Sequence, residues 1–222
     1  MRYGALTFDL DGTLVATAAE IAVAVNRTLA GSGLPTQSEA DIARHVGAGL
    51  HATLDGVLTD LSAELPRAPL YARLDVHYAV VAGRSARPYR GAAEMLAALR
   101  SEGVRLACVT NKAHRFAQQV LDGTGLAPLL DYVIGGDSLP YKKPDARVLT
   151  HALHVLGATP ARAAHVGDSL TDTAAARNAG VAAWAVPWGY RGNHTLAELN
   201  AERVFDAFDD LTTFVQAANA AA

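Results

Sequence analysis

The stretch YGALTFDLDGTL, residues 3–14, decides the fold of this 222-residue chain. It begins as a short apolar run, which is typical of a buried β-strand. Two carboxylates follow, Asp9 and Asp11, and then Gly12, which marks a sharp turn. In extended backbone both acids point to the same side, where they repel unless a cation lies between them or one keeps its proton. The stretch is therefore either a structural Asp-Gly turn or a reactive pair of acids.

The composition of the chain is that of a globular protein. Of its 222 residues, 50% are hydrophobic, which supports one large domain or one domain with a smaller one. The net charge of −3 favours neither nucleic acid nor an anionic membrane as a partner. No apolar run approaches the roughly 20 residues of a membrane span. Strand-like sequence from Tyr3 onward argues against a signal peptide. We therefore expect a soluble cytoplasmic protein, and no oligomeric state is predicted.

Between residues 17 and 85 the sequence predicts helices and no strand. Apolar residues from Ala18 to Leu29 recur at spacings of three and four, which is typical of a helix. Thr17 and Glu20 have the spacing of a capping box at its start. Further helices are predicted over 38–46, 50–61 and 69–82. The sequence thus predicts an all-helical unit directly after the first strand.

Beyond residue 86, strand and helix patterns alternate along the chain. Strands are predicted over 104–109, 132–134, 163–166, 181–186 and 204–205. Such alternation is typical of a parallel sheet with helices on both faces. The sequence therefore predicts an α/β fold with a doubly wound parallel sheet. Residues 1–16 and 86–222 would form the core domain, and residues 17–85 a small all-helical cap domain.

Polar side chains follow four of the predicted strands. In a parallel sheet the carboxyl ends of the strands meet at one edge, where ligands bind. A hydroxyl, one or two lysines and several carboxylates at such an edge make a site for a metal ion and a phosphoryl group. The residues concerned are Asp9 and Asp11, Thr110-Asn111-Lys112, Lys142-Lys143, and Asp168 with Asp172.

Four motifs in these loops make the chain resemble the haloacid dehalogenase-like (HAD) hydrolase superfamily. They are Asp9-Leu-Asp11-Gly-Thr-Leu14, Val109-Thr110-Asn111, Lys143-Pro144 and Gly167-Asp168-Ser-Leu-Thr-Asp172. The resemblance covers nearly the whole chain and implies a Rossmann-like core with a helical cap after strand one. Within the superfamily the sequence is most similar to the phosphoglycolate phosphatase subgroup. It departs from that subgroup in having Ala16-Thr17 where Asp-Ser is usual.

The resemblance implies Mg²⁺-dependent hydrolysis of a small phosphate ester, with 2-phosphoglycolate as the leading candidate. Asp9 would attack phosphorus and form an aspartyl-phosphate. Asp11 would protonate the leaving alcohol and then deprotonate the attacking water. Asp9, Asp168 and the backbone carbonyl of Asp11 would hold Mg²⁺, while Asp172 would orient Asp168 or a metal-bound water.

The resemblance also implies substrate contacts. Thr110 and Lys143 would hold the phosphoryl oxygens, and Asn111 would bind substrate beside them. Lys142 is an alternative to Lys143, but the proline that follows Lys143 favours the latter.

In the cap, Arg44 and His45 are candidates for substrate binding, although a role as ordinary solvated residues at a helix end explains them equally well.

Other functions also stay open. Nucleoside monophosphates, sugar phosphates and pyrophosphate are alternative substrates, and a phosphosugar mutase would return the phosphoryl group to sugar. A metal-free dehalogenase would use Asp9 but would need neither Asp11 as a proton donor nor Asp168. A catalytically silent binding module is disfavoured because all the chemical residues are present.

Overall fold

The computed structural model describes all 222 residues. Its central sheet has six strands, and every neighbouring pair is parallel. Their spatial order is β5 (Tyr132–Ile134), β4 (Arg105–Val109), β1 (Ala5–Phe8), β6 (Ala163–Gly167), β7 (Ala182–Ala185) and β8 (Arg203–Val204). Since β1 lies between β4 and β6, the chain winds outward in both directions from the middle of the sheet. The predicted doubly wound α/β fold is confirmed.

Nine α-helices accompany the sheet. The first four form one block between residues 17 and 85: α1 (Ala18–Ala30), α2 (Glu39–Ala43), α3 (Leu50–Asp60) and α4 (Arg67–Val81). The others are α5 (Ala92–Ser101), α6 (His114–Thr124), α7 (Ala146–Leu156), α8 (Leu170–Asn178) and α9 (Phe208–Ala220). None of the nine is both long and apolar enough to cross a lipid bilayer.

We call residues 17–85 the helical insert. A second, two-stranded antiparallel sheet joins its two ends, formed by β2 (Val15–Ala16) and β3 (Arg87–Pro88). Sequence reasoning missed this pair because two-residue strands carry no periodicity. The division of the chain into two domains at these ends stays a prediction.

The apolar core is continuous between the sheet and the helical insert. One cluster of 42 buried residues includes Phe8 of β1 and also Leu54 and Tyr78 of the insert. The Tyr78 ring packs edge-on against Phe116 of α6, with ring centroids 4.9 Å apart. A second cluster of 14 buried residues lies on the opposite face of the sheet, beneath α7 and α8. The insert therefore joins the apolar core on the side of the sheet that carries Phe8, through contacts such as that of Tyr78 with Phe116 of α6.

The start of α1 differs from the prediction. Thr17 makes no capping hydrogen bond with its side chain, and its hydroxyl donates instead to Asp11 Oδ1 at 2.7 Å. The buried carboxylate of Glu20 accepts three backbone N–H groups from segment 83–86, at 3.0, 3.3 and 3.0 Å. The predicted capping box is therefore wrong, because the chain that returns from the insert takes up the Glu20 carboxylate.

Candidate active site

Neighbouring strands bring three of the predicted acids together at one edge of the sheet. Phe8 and Val166 are partners in the register of β1 and β6, so the loops that follow these strands lie side by side. Asp9 and Asp168 lie in these loops, and Asp172 lies in the first turn of α8. The three acids are buried, and carboxylate oxygens from all three lie within 4.8 Å of one another.

Lys143 lies between two of these acids. Its Nζ is 2.8 Å from Asp9 Oδ1 and 2.6 Å from Asp172 Oδ1, and its side chain is only 1% exposed. Burial opposes its charge, but the two carboxylates outweigh this effect and raise the pKa of Lys143. Lys142, by contrast, is exposed and donates to the carbonyl of Ala48 in the insert at 2.9 Å. Of the two neighbouring lysines, Lys143 is thus the one placed beside Asp9.

Asp172 has both of its oxygens occupied. Oδ1 contacts Lys143 and lies 3.3 Å from His165 Nε2, while Oδ2 accepts the backbone N–H and the hydroxyl of Ser169. Burial would raise the pKa of Asp172, but the Lys143 ammonium and the His165 contact lower it overall. Asp172 is therefore an ionised acid that fixes Lys143 in position.

The charges around Asp9 are not balanced. Burial raises the pKa of Asp9 to about 6, although Lys143 opposes this shift. Burial, together with Asp172 and Asp9, also raises the pKa of Asp168 well above its ordinary value. Burial lowers the pKa of His165, so this residue adds no cation. Three buried carboxylates thus face a single buried ammonium, which favours a bound cation beside Asp9 and Asp168.

Asp9 Oδ1 is held by an ion pair alone. The contact between Lys143 and Asp9 Oδ1 is an ion pair without hydrogen-bond alignment, and this buried oxygen accepts no hydrogen bond. Asp168 is better satisfied, because Oδ1 accepts the Thr13 hydroxyl at 2.7 Å and Oδ2 accepts the backbone N–H of Tyr190. These bonds fix the Asp168 carboxylate toward Asp9.

Asp11 lies on the side of the site that faces the insert. Lys112 Nζ donates to both of its oxygens, at 2.7 and 2.8 Å, and the Thr17 hydroxyl adds a third bond. Lys112 is buried, and its ammonium lies 4.7 Å from the centre of the Tyr78 ring. Sequence reasoning placed Lys112 at this edge of the sheet but gave it no role. Its position in the loop after β4 was the available signal.

The other residues of this loop are also buried. The hydroxyl of Thr110 accepts the backbone N–H of Lys112 at 3.2 Å. The side-chain amide of Asn111 donates to the carbonyls of Gly47 and Lys143, at 3.1 Å each, while its oxygen accepts nothing. Asn111 therefore ties the loop to both the insert and the Lys143 segment. The substrate contacts predicted for Thr110 and Asn111 stay predictions.

A narrow cleft runs between the sheet edge and the insert. Arg44 and His45 do not line it, because their side chains lie 3.8 and 2.7 Å from Asp60. The structure thus does not bring them to the acids, and their part in substrate binding stays a prediction. The lining residues are Asp9, Asp11, Thr110 and Lys112 from the core and Ile21, Val46, Gly47, Gly49, Leu50 and Thr53 from the insert.

Comparison with known proteins decides the family. Residues 3–180 match the sequence model of the haloacid dehalogenase-like hydrolases. The chain belongs to this family. It is 37% identical to a phosphoglycolate phosphatase of Thiobacillus denitrificans, over 95% of each chain. This HAD hydrolase also resembles the structure of a predicted phosphoglycolate phosphatase from Haemophilus somnus, with a TM-score of 0.90 and 30% identity over 97% of this chain and 99% of that one.

A second structural neighbour contains ligands. It is a HAD family hydrolase from Deinococcus radiodurans with bound phosphate and sodium, and it has a TM-score of 0.76 and 27% identity over 98% of this chain and 97% of that one. The predicted HAD membership and the similarity to the phosphoglycolate phosphatase subgroup are confirmed.

The departure of this HAD hydrolase at Ala16-Thr17 keeps a hydroxyl beside Asp11. Thr17 keeps a hydroxyl at the position where the subgroup usually has serine, and this hydroxyl bonds Asp11. Ala16 pairs with Arg87 in the β2–β3 ladder, so its place is fixed by the backbone.

Proposed function

We propose that this HAD hydrolase is a Mg²⁺-dependent phosphatase that cleaves a small phosphate monoester through an aspartyl-phosphate on Asp9. The observation that carries the proposal is the buried Asp9 carboxylate, which accepts no hydrogen bond at Oδ1 and is held there only by the Lys143 ammonium, 2.8 Å away. Such a carboxylate is suited to nucleophilic attack on an electrophilic phosphorus. The names of relatives 37% and 38% identical to the chain favour 2-phosphoglycolate as the substrate.

Mg²⁺ fits the acids at this edge. It prefers oxygen ligands and usually takes one or two carboxylates, and here Asp9 and Asp168 would hold it with the backbone carbonyl of Asp11. The excess of buried negative charge supports this assignment. When bound, Mg²⁺ would polarise the phosphoryl group and offset its charge. Asp172 would act through Lys143 instead, because its own oxygens are taken.

The protein's residues divide the chemistry into two steps. In the first, Asp9 bonds to phosphorus, the bond from phosphorus to the ester oxygen breaks, and Asp11 gives that oxygen a proton. In the second, Asp11 takes a proton from water, the oxygen of that water bonds to phosphorus, and the bond from phosphorus to Asp9 breaks, so that phosphate leaves and the Asp9 carboxylate is restored. Lys143 and Thr110 hold the phosphoryl oxygens throughout, while the insert excludes bulk water.

Turnover of a panel of phosphate esters tests the proposal. The panel contains 2-phosphoglycolate, a nucleoside monophosphate, a sugar phosphate and p-nitrophenyl phosphate, each assayed with MgCl₂ or with EDTA. We expect turnover only with Mg²⁺, the highest kcat/KM on 2-phosphoglycolate, and no activity in Asp9→Asn. Asp137→Asn, at an exposed acid of the same sheet edge, is the matched control and should stay active. Full activity in EDTA, or in Asp9→Asn, would contradict the proposal.

A further inference from the structure

Lys112 is the only cationic side chain that lines the narrow cleft. Apart from Thr53, the lining residues of the insert are apolar or glycine. The ammonium of Lys143 is held between Asp9 and Asp172. A negative charge on the leaving part of a substrate would therefore find one positive partner in the cleft, the ammonium of Lys112.

Lys112 already holds a carboxylate in this structure. Its Nζ is 2.7 and 2.8 Å from the two oxygens of Asp11, and its side chain is 3% exposed. The Tyr78 ring packs against the ammonium, and the bond from the Lys112 backbone N–H to Thr110 fixes the loop. Charge pairs gain strength when water is excluded and the geometry is fixed in advance. Two of the three N–H donors are thus taken by Asp11, and the third is left for an oxygen of the substrate.

The place of Lys112 matches the shape of a short substrate. In the proposed reaction Asp11 contacts the ester oxygen, and Lys112 Nζ lies next to Asp11. In 2-phosphoglycolate a single methylene separates the ester oxygen from the carboxylate, so that carboxylate falls within reach of the same ammonium. An ammonium has three N–H donors, and it can bind an oxygen of Asp11 and one of the substrate together.

We propose that Lys112 is the specificity-determining residue, which binds the substrate carboxylate and selects phosphate esters with an anionic group beside the ester oxygen. This inference rests on the proposed phosphatase function. The other basic residues near the cleft are engaged elsewhere, because Arg44 and His45 pair with Asp60 and Lys142 donates to Ala48.

The test compares two esters that differ in one charge. They are 2-phosphoglycolate and 2-phosphoglycolamide, in which a neutral amide replaces the carboxylate. In Lys112→Met, which keeps most of the side-chain length, kcat/KM on 2-phosphoglycolate should fall about 10²-fold, as expected when one partner of a buried charge pair is lost. Most of this loss should lie in KM. On the amide, kcat/KM should fall less than about tenfold, so most of the wild-type preference for 2-phosphoglycolate over the amide should be lost.

Matched variants separate this role from a structural one. Lys112→Arg keeps the charge and should keep part of the preference, while Lys142→Met should keep all of it. Thermal melting followed by circular dichroism checks that each variant is folded.

Three results would overturn the inference. The first is an equal loss on both esters in Lys112→Met, which would show that Lys112 only positions Asp11. The second is a wild-type enzyme that hydrolyses both esters with the same kcat/KM. The third is a preference that collapses in Arg44→Met but not in Lys112→Met, which would assign the carboxylate to the insert. Failure of the wild type on every ester would instead overturn the proposed phosphatase function, and this inference with it.

Discussion

Glu20 connects the two ends of the helical insert, and its replacement by alanine should destabilise the whole protein. The side chain lies in the first turn of α1, and the residue is 1% exposed. Its carboxylate accepts N–H groups from Gly83 and Ala86 at 3.0 Å each and from Ser85 at 3.3 Å. The segment 83–86 leads directly into β3, so these bonds fix the point where the chain returns to the core.

The size of the effect follows from these bonds. A hydrogen bond to a charged group contributes about 1.5–3 kcal/mol, so the two bonds of 3.0 Å give about 3–6 kcal/mol. Removing a buried carboxylate also removes its desolvation penalty, which brings the expected net loss to about 3 kcal/mol. For a chain of this size that corresponds to a fall in Tm of about 6–12 °C. Glu20→Gln keeps one acceptor oxygen, and its free energy of unfolding should fall about half as much.

Urea unfolding followed by circular dichroism measures the loss. Glu94→Ala is the matched control, because Glu94 lies in the first turn of α5 but is exposed. Its free energy of unfolding should stay within about 0.5 kcal/mol of the wild type. If Glu20→Ala and Glu94→Ala unfold at the same urea concentration, Glu20 does not connect the ends of the insert and the reasoning is refuted.

Two further predictions concern the chemistry. Lys143→Met should lower kcat about 10²-fold or more, because the ammonium beside Asp9 is lost, whereas Lys142→Met should change kcat little. Steady-state assays of both variants with MgCl₂ check this. The reverse ranking would show that Lys142, and not Lys143, is the lysine of the site. In Asp11→Asn, kcat should fall about 10² to 10⁴-fold because proton transfer to the leaving group and from water is lost. Its single-turnover burst should fall far more for an alkyl phosphate than for p-nitrophenyl phosphate, whose leaving group hardly needs a proton. If the burst falls equally for both esters, Asp11 is not the acid that protonates the leaving group.

The edge of the sheet could be predicted from the sequence because its signals are local. An apolar run followed by an acid marks the end of β1 at Asp9, and a similar pattern marks the end of β6 at Asp168. The alternation of strands and helices then implies a parallel sheet, which places such loops at one edge. No knowledge of side-chain packing was needed for this step.

The parts that sequence reasoning missed depend on contacts between distant residues. Lys112 pairs with Asp11, 101 positions away, and Glu20 bonds N–H groups 63 to 66 positions away. Local spacing predicted a capping box for Glu20, but burial against the returning chain outweighed that preference. The loop after β4 places Lys112 at the site, but its pairing with Asp11 could not be predicted because the fold brings the two residues together.

The structure also explains how Asp9 and Asp11 can lie so close together. Each acid has its own ammonium, since Lys143 lies 2.8 Å from Asp9 and Lys112 lies 2.7 Å from Asp11. Burial is the main cause that raises the pKa of Asp9, and repulsion from Asp11 contributes less. One acid therefore faces the cluster that would hold a metal ion, while the other faces the insert and the leaving group. Because Asp11 is only a lesser cause of the raised pKa of Asp9, Asp11→Asn should disturb the nucleophile less than the acid, and a burst that falls far more for an alkyl phosphate than for p-nitrophenyl phosphate would report on proton transfer.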